Sequence, residues 1–149
     1  MADIFEPEVR SYIMSRIRSK DTKPELKVRR YLHARGFRYS LHSKHLPGKP
    51  DLVLRKYKTV IFVNGCFWHG HENCPEFRPP KSNKGFWLEK IRRNKARDRE
   101  NVVRLMESGW NVIIVWGCEL RPKRALDTLE NLCLKIRKMK RVVTPEPVS

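Results

Sequence analysis

Hydrophobic and polar positions change period several times along the 149-residue chain, and each change marks an element. Over residues 8–19, Val9, Tyr12, Ile13 and Ile17 share one helical face, which predicts a first short helix. After a break at SKDT, Thr22 and Glu25 form a T-x-x-E capping box with Pro24 in the first turn. Leu26, Val28, Tyr31 and Leu32 give this second helix its apolar side, and Gly36 suits the position just past its end. FRYSLH (37–42) alternates, with Phe37, Tyr39 and Leu41 on one face, and reads as a strand. DLVLR (51–55) and TVIFVN (59–64) are β-rich runs separated by KYK, which predicts a hairpin.

Residues 65–85 follow neither period, and so long a loop in a compact domain needs something to order it. A long helix follows over 86–109, closed by Gly109, with Leu88, Ile91, Val102, Leu105 and Met106 as its buried stripe. WNVIIVW (110–116) is the continuous apolar run of a central parallel strand. Over 122–140, Leu126, Leu129, Leu132, Cys133 and Ile136 mark a last helix. The predicted order is ααβββ-loop-αβα, an α/β fold whose mixed sheet is flanked by helices. The strand at 59–64, the next helix and the strand at 110–116 make one right-handed crossover. One domain spans 1–140, and 141–149 is expected to be a disordered tail.

Charge narrows the function. Thirty-three Lys and Arg against 16 Asp and Glu leave a formal charge of +17. Such an excess calls for a polyanionic partner, and nucleic acid is the commonest. No apolar run approaches the roughly 18 residues of a membrane span, and the start lacks a signal-peptide core. A soluble, cytoplasmic protein is expected, with no membrane role and no disulfides.

Cys66, His69, His71 and Cys74 crowd into the aperiodic loop. If the strands at 59–64 and 110–116 run parallel, Cys118 comes beside them. Three thiolates and one imidazole form a soft tetrahedral set suited to Zn²⁺, and four protein ligands make the site structural. Spacing alone leaves open whether His69 or His71 is the ligand. The spare imidazole is available as a general base. Cys133 lies on the apolar face of the last helix and reads as core. Asp51 opens a strand after PGKP, where it caps the turn or binds a cation. Asp98 falls on the buried stripe, so it needs a partner: an arginine such as Arg10 or Arg29, a metal-bound water, or the spare histidine.

PGKPDLV (47–53), VNGCFWHGHENC (63–74), FWLEKIRRNKARD (86–98) and VIIVWGCEL (112–120) together carry a resemblance. Over about residues 10–135 the chain resembles the very-short-patch-repair (Vsr-type) DNA mismatch endonucleases. The resemblance implies a restriction-endonuclease-like fold and a monomer in the bacterial cytoplasm, associated with the nucleoid. The implied substrate is double-stranded DNA, nicked 5′ to the T of a T·G mismatch left by deamination of 5-methylcytosine. Mismatch-repair proteins are the implied partners. It also implies that Asp51 and the backbone carbonyl of Val63 hold Mg²⁺, and that His69 handles the attacking water. Cys66, His71, Cys74 and Cys118 would bind Zn²⁺. Glu25 and Asp98 would hold waters of the magnesium ion or support His69, and Phe67, Trp68 and Trp87 would wedge into the base stack. The chain departs from the family pattern at Asn64, where a histidine can stand, and by one residue inserted between His71 and Cys74. Asn64 can hydrogen-bond a water but cannot trade a proton. Two competing readings are a zinc-stabilised DNA-binding module without catalysis and a related restriction or mobile-element nuclease.

Overall fold

Helix α1 (Lys23–Ala34) is capped by Thr22, whose side chain accepts a hydrogen bond from the Glu25 N–H at 3.3 Å, and Pro24 supplies the fixed φ of its first turn. The structure is a computed structural model that describes residues 22–77 and 81–143. The helix expected over 8–19 lies outside the described residues, as does the end of the expected tail. Downstream run β1 (Ser40–Leu41), β2 (Leu52–Leu54), β3 (Thr59–Asn64), α2 (Lys84–Glu107), β4 (Asn111–Trp116) and α3 (Ala125–Val143).

The sheet is mixed, in the order β1-β2-β3-β4. β1 and β2 are antiparallel, β2 and β3 form the expected antiparallel hairpin around a 3₁₀ turn at Arg55–Tyr57, and β3 and β4 are parallel. The parallel pair is joined through α2, as the crossover reading expects. The strand FRYSLH shrinks to Ser40–Leu41, and His42, with a left-handed φ of 46°, turns the chain at its C-terminal end. β4 is an edge of the described sheet and not a central strand, and its burial alternates accordingly.

Alternation along the strands divides the core between two faces. On one, Leu52, Leu54, Ile61, Ile113 and Val115 pack with Val28 and Leu32 of α1 and Leu129, Leu132, Cys133 and Ile136 of α3. On the other, Val53 and Val60 meet Leu105 of α2. Full burial of a side chain such as Leu32 or Ile61 contributes roughly 1.5–3 kcal/mol. The buried stripe of α2 is Trp87, Ile91 and Leu105, whereas Leu88 and Met106 are 40% and 61% exposed. Leu126 on α3 is likewise exposed. The reason lies in what α2 covers. Only its C-terminal half rests on the sheet; its N-terminal half rests on the 65–77 loop, so the contact is narrower than a full apolar face. Gly70 shows how close that contact is, since a Cβ there would stand 2.7 Å from Ile91 and 2.6 Å from Lys95, with φ already at +60°. Among the described residues, no helix is long and apolar enough to cross a membrane.

Candidate functional site

The C-terminal end of β3 and the start of β2 bring the chemistry together. Continuing the β2–β3 register two steps beyond Leu52↔Ile61 would set Pro50 opposite Val63. Proline has no N–H, so the ladder cannot continue there. The Val63 N–H instead donates to Asp51 Oδ2 at 2.7 Å. In extended backbone, the N–H and C=O of one residue face the same neighbour. The Val63 carbonyl therefore leaves on the Asp51 side, facing a residue that offers it no donor. This is why PGKPD precedes the strand: it ends the hairpin ladder and frees a carboxylate and a carbonyl together.

Glu25 and His42 complete the cluster. Donor atoms of Glu25, His42 and Asp51 all lie within 4.8 Å of one another. His42 Nε2 is 2.6 Å from Glu25 Oε2, and the Arg29 guanidinium donates to the same oxygen at 3.3 Å. The capping box is thus half formed. Thr22 caps the helix, but the Glu25 side chain, only 2% exposed, turns to His42 and Arg29 instead. Burial pushes the Asp51 carboxyl up to about 6. The Val63 N–H pulls it back, the Glu25 charge adds to the rise, and His42 and His69 oppose it. The buried Glu25 and half-buried Asp51 carboxylates, with the Val63 carbonyl on the same side, are a donor set of hard oxygens, which fits a divalent cation.

His69 and Asp98 make the second element. His69 Nδ1 lies 2.6 Å from Asp98 Oδ2, with both side chains about one-third exposed. Asp98 is therefore partly exposed, where the helical stripe predicted burial. Its position on the stripe faces the loop rather than the sheet, and its partner is the spare histidine. The loop is held to α2 by Asn94, whose Nδ2 donates to the Trp68 carbonyl at 3.0 Å, and by the Lys95–Glu72 ion pair.

Beside it, Cys66, His71, Cys74 and Cys118 have their ligand atoms within 4.8 Å of one another. Tetrahedral zinc with Zn–S near 2.3 Å needs ligand atoms about 3.8 Å apart, so this donor set fits zinc with a small contraction. The geometry selects His71 for the cluster and leaves His69 free. The parallel β3–β4 pair explains the convergence, because it carries Cys66 and Cys118 out of the same end of the sheet. Burial raises the Cys66 thiol to about 12 and lifts the Cys118 thiol as well. The His71 ring stacks on Trp116 at 4.0 Å and 3°, and the His69 ring meets the same indole edge-on at 6.5 Å. Trp116 thereby touches both the cysteine cluster and the His69–Asp98 pair.

Other expected site residues fall nearby. Asn64 is buried at the end of β3, opposite Trp116. Phe67, Trp68 and Trp87 form one aromatic cluster, with centroids 5.1 to 5.9 Å apart. Trp87 is buried, Phe67 and Trp68 are half-buried, and the exposed ring is Phe86, at 53%. His42 was not expected from the sequence. The register could have found it, since the His42 N–H bonds the Asp51 carbonyl at 3.1 Å across the β1–β2 pair.

Similarity to known proteins gives the class: a DNA endonuclease. A family profile described as DNA mismatch endonuclease Vsr matches residues 2–75. The chain is 53% identical to the type II nicking enzyme V.NmeAIP of Neisseria meningitidis over 83% of this chain and 87% of that protein. It is 47% identical to the type II nicking enzyme V.XorIIP of Xanthomonas oryzae, over 85% of this chain and 93% of the other. It is 43% identical to DNA mismatch endonuclease Vsr of Escherichia coli, over 85% and 80%. The chain belongs to the Vsr family of DNA mismatch endonucleases.

Proposed function

We propose that the protein nicks one strand of duplex DNA 5′ to the T of a T·G mismatch, as the opening step of very-short-patch repair. The observation that carries this reading is the His69–Asp98 pair at 2.6 Å, set close enough to Asp51 for the two to interact electrostatically. Asp98 accepts from Nδ1–H of His69, which fixes the tautomer and leaves the Nε2 lone pair to take a proton from the attacking water. Asp51 and the Val63 carbonyl hold Mg²⁺, with Glu25 beside them. When bound, the ion supplies positive charge to the scissile phosphate and to the leaving oxygen. Asn64 contributes a hydrogen bond to the site's water and no proton transfer.

Cys66, His71, Cys74 and Cys118 hold a structural Zn²⁺ that orders the 65–77 loop, and with it His69. Phe67 and Trp68, backed by the buried Trp87, act on the DNA as a stacked wedge beside the mismatch. The +17 charge supplies the phosphate contacts. The domain is single, restriction-endonuclease-like and monomeric, and works in the bacterial cytoplasm on the nucleoid, with mismatch-repair proteins as partners.

The test is a pair of variants. His69→Ala and Asp51→Asn should abolish nicking of a T·G duplex while leaving its binding within about threefold, because these groups act in the transition state. Nicking at the parent rate by either variant would refute the assignment.

A further inference from the structure

We propose that His42 is a third side-chain ligand of the divalent cation, beside Asp51 and Glu25 and in addition to the Val63 carbonyl, and that its nitrogen gives the site a preference for Mn²⁺ over Mg²⁺. This deepens the nuclease reading and rests on it for the existence of the cation site. Three observations carry the proposal. The donor atoms of Glu25, His42 and Asp51 lie within 4.8 Å of one another. In octahedral coordination, adjacent ligands at a metal distance near 2.1 Å stand about 3 Å apart. His42 Nε2 and Glu25 Oε2 already stand 2.6 Å apart, so both can be neighbours on one ion.

The second observation is the route by which His42 gets there. Its backbone takes a left-handed φ of 46° while its N–H keeps the ladder bond to the Asp51 carbonyl. A non-glycine residue in that region is uncommon. The bend ends β1 and delivers the imidazole to Glu25 and Asp51. The third observation is charge. Glu25 is 2% exposed and Asp51 is partly buried, and Arg29 reaches Glu25 at 3.3 Å. Two carboxylates drawn together out of solvent repel each other, and a cation between them relieves that cost.

Imidazole alters which cation this is. Mg²⁺ takes oxygen ligands and water, and gains little from nitrogen. Transition ions bind imidazole more strongly. A pure oxygen set of Asp51, Glu25 and the Val63 carbonyl has no reason to favour Mn²⁺, whereas the same set with His42 does.

The experiment uses the full-length, zinc-loaded protein without DNA and Mn²⁺ as the probe, since Mn²⁺ does not compete for a thiolate site. Electron spin echo of the bound Mn²⁺ should show one directly bonded ¹⁴N. That coupling should vanish in His42→Gln and persist in His69→Gln. His42→Gln should weaken Mn²⁺ binding about tenfold and change Mg²⁺ binding less than about threefold. Three results would overturn the proposal. They are bound Mn²⁺ with no ¹⁴N coupling, coupling that survives His42→Gln, and equal loss of both ions, which would make His42 a prop for Glu25. Nicking of a T·G duplex, measured separately on the unaltered protein, separates the two claims. Nicking without the ¹⁴N coupling sinks the ligand assignment alone, and the coupling without nicking sinks the function alone.

Discussion

Replacing Asp51 by Asn should make the cation-free protein more stable, although it destroys the proposed site. The ordinary aspartate value is 3.8 and burial lifts this carboxyl to about 6, so the folded chain holds the proton more tightly than the unfolded chain does. With a raised folded-state value, the stability is fully present below about pH 4 and is lost as pH rises through 6. Each tenfold gain in proton affinity on folding corresponds to about 1.4 kcal/mol, which sets an upper bound near 3 kcal/mol. Asp51 keeps some solvent access, so about 1–2 kcal/mol is the working figure. Asn removes the charge and keeps an acceptor for the Val63 N–H. At roughly 2–4 °C per kcal/mol for a chain of this size, Tm should rise about 2–6 °C at pH 7.5. Near pH 4 the two melting curves should coincide. The assay is thermal unfolding by circular dichroism in buffer stripped of divalent cations, without chelator so that zinc stays. With saturating Mg²⁺ the order should reverse, because a ligand at 100 times its Kd adds about 2.7 kcal/mol to the parent alone. An Asn variant less stable than the parent at pH 7.5 without cation would show that the carboxylate is not penalised by its surroundings.

The protein should carry one zinc per chain, and Cys118→Ala should lower Tm by about 10 °C or more, since that ligand ties the end of β4 to the distant loop. Zinc analysis and a melting curve check this, and an unchanged curve after zinc removal would contradict it. Trp68→Ala should narrow the difference in affinity between T·G and T·A duplexes about tenfold, because stacking on a base contributes roughly 1–3 kcal/mol and unstacking is cheapest at a mismatch. Fluorescence anisotropy on the two duplexes measures it, and an unchanged ratio would remove Trp68 from recognition.

What the sequence revealed followed from residue type at short spacing. The Cys66–Cys74 loop stood out because it had chemistry and no period, and the parallel β3–β4 reading brought Cys118 to it. Spacing left the choice between His69 and His71 open; the family resemblance implied His71, and the structure brings His71 to the three cysteines. Asp98 drew notice as a charge on an apolar stripe, but the partner of that stripe is the loop in its first half and the sheet only near Leu105. Leu88 and Met106 were misplaced for the same reason. Glu25 was legible as a cap from its spacing and as a site residue only through the resemblance, because its partners Arg29 and His42 come from one turn along the helix and from the end of β1. His42 was missed altogether. A lone histidine after an alternating strand carries no signal until the β1–β2 register sets it opposite Asp51. The edge position of β4 was equally invisible, since a continuous apolar run does not say how many strands lie beyond it.

Cation-dependent scission at a mismatch is tested most directly by nicking of duplexes end-labelled on each strand in turn. The duplexes are identical except for one pair, T·G, T·A or C·G, and each is treated with and without Mg²⁺. The expected result is a single nick on the T strand of the T·G duplex, at the phosphate 5′ to the thymine, present only with the cation. Equal cutting of all three duplexes, or tight binding of the T·G duplex with no cut in either strand, would contradict it.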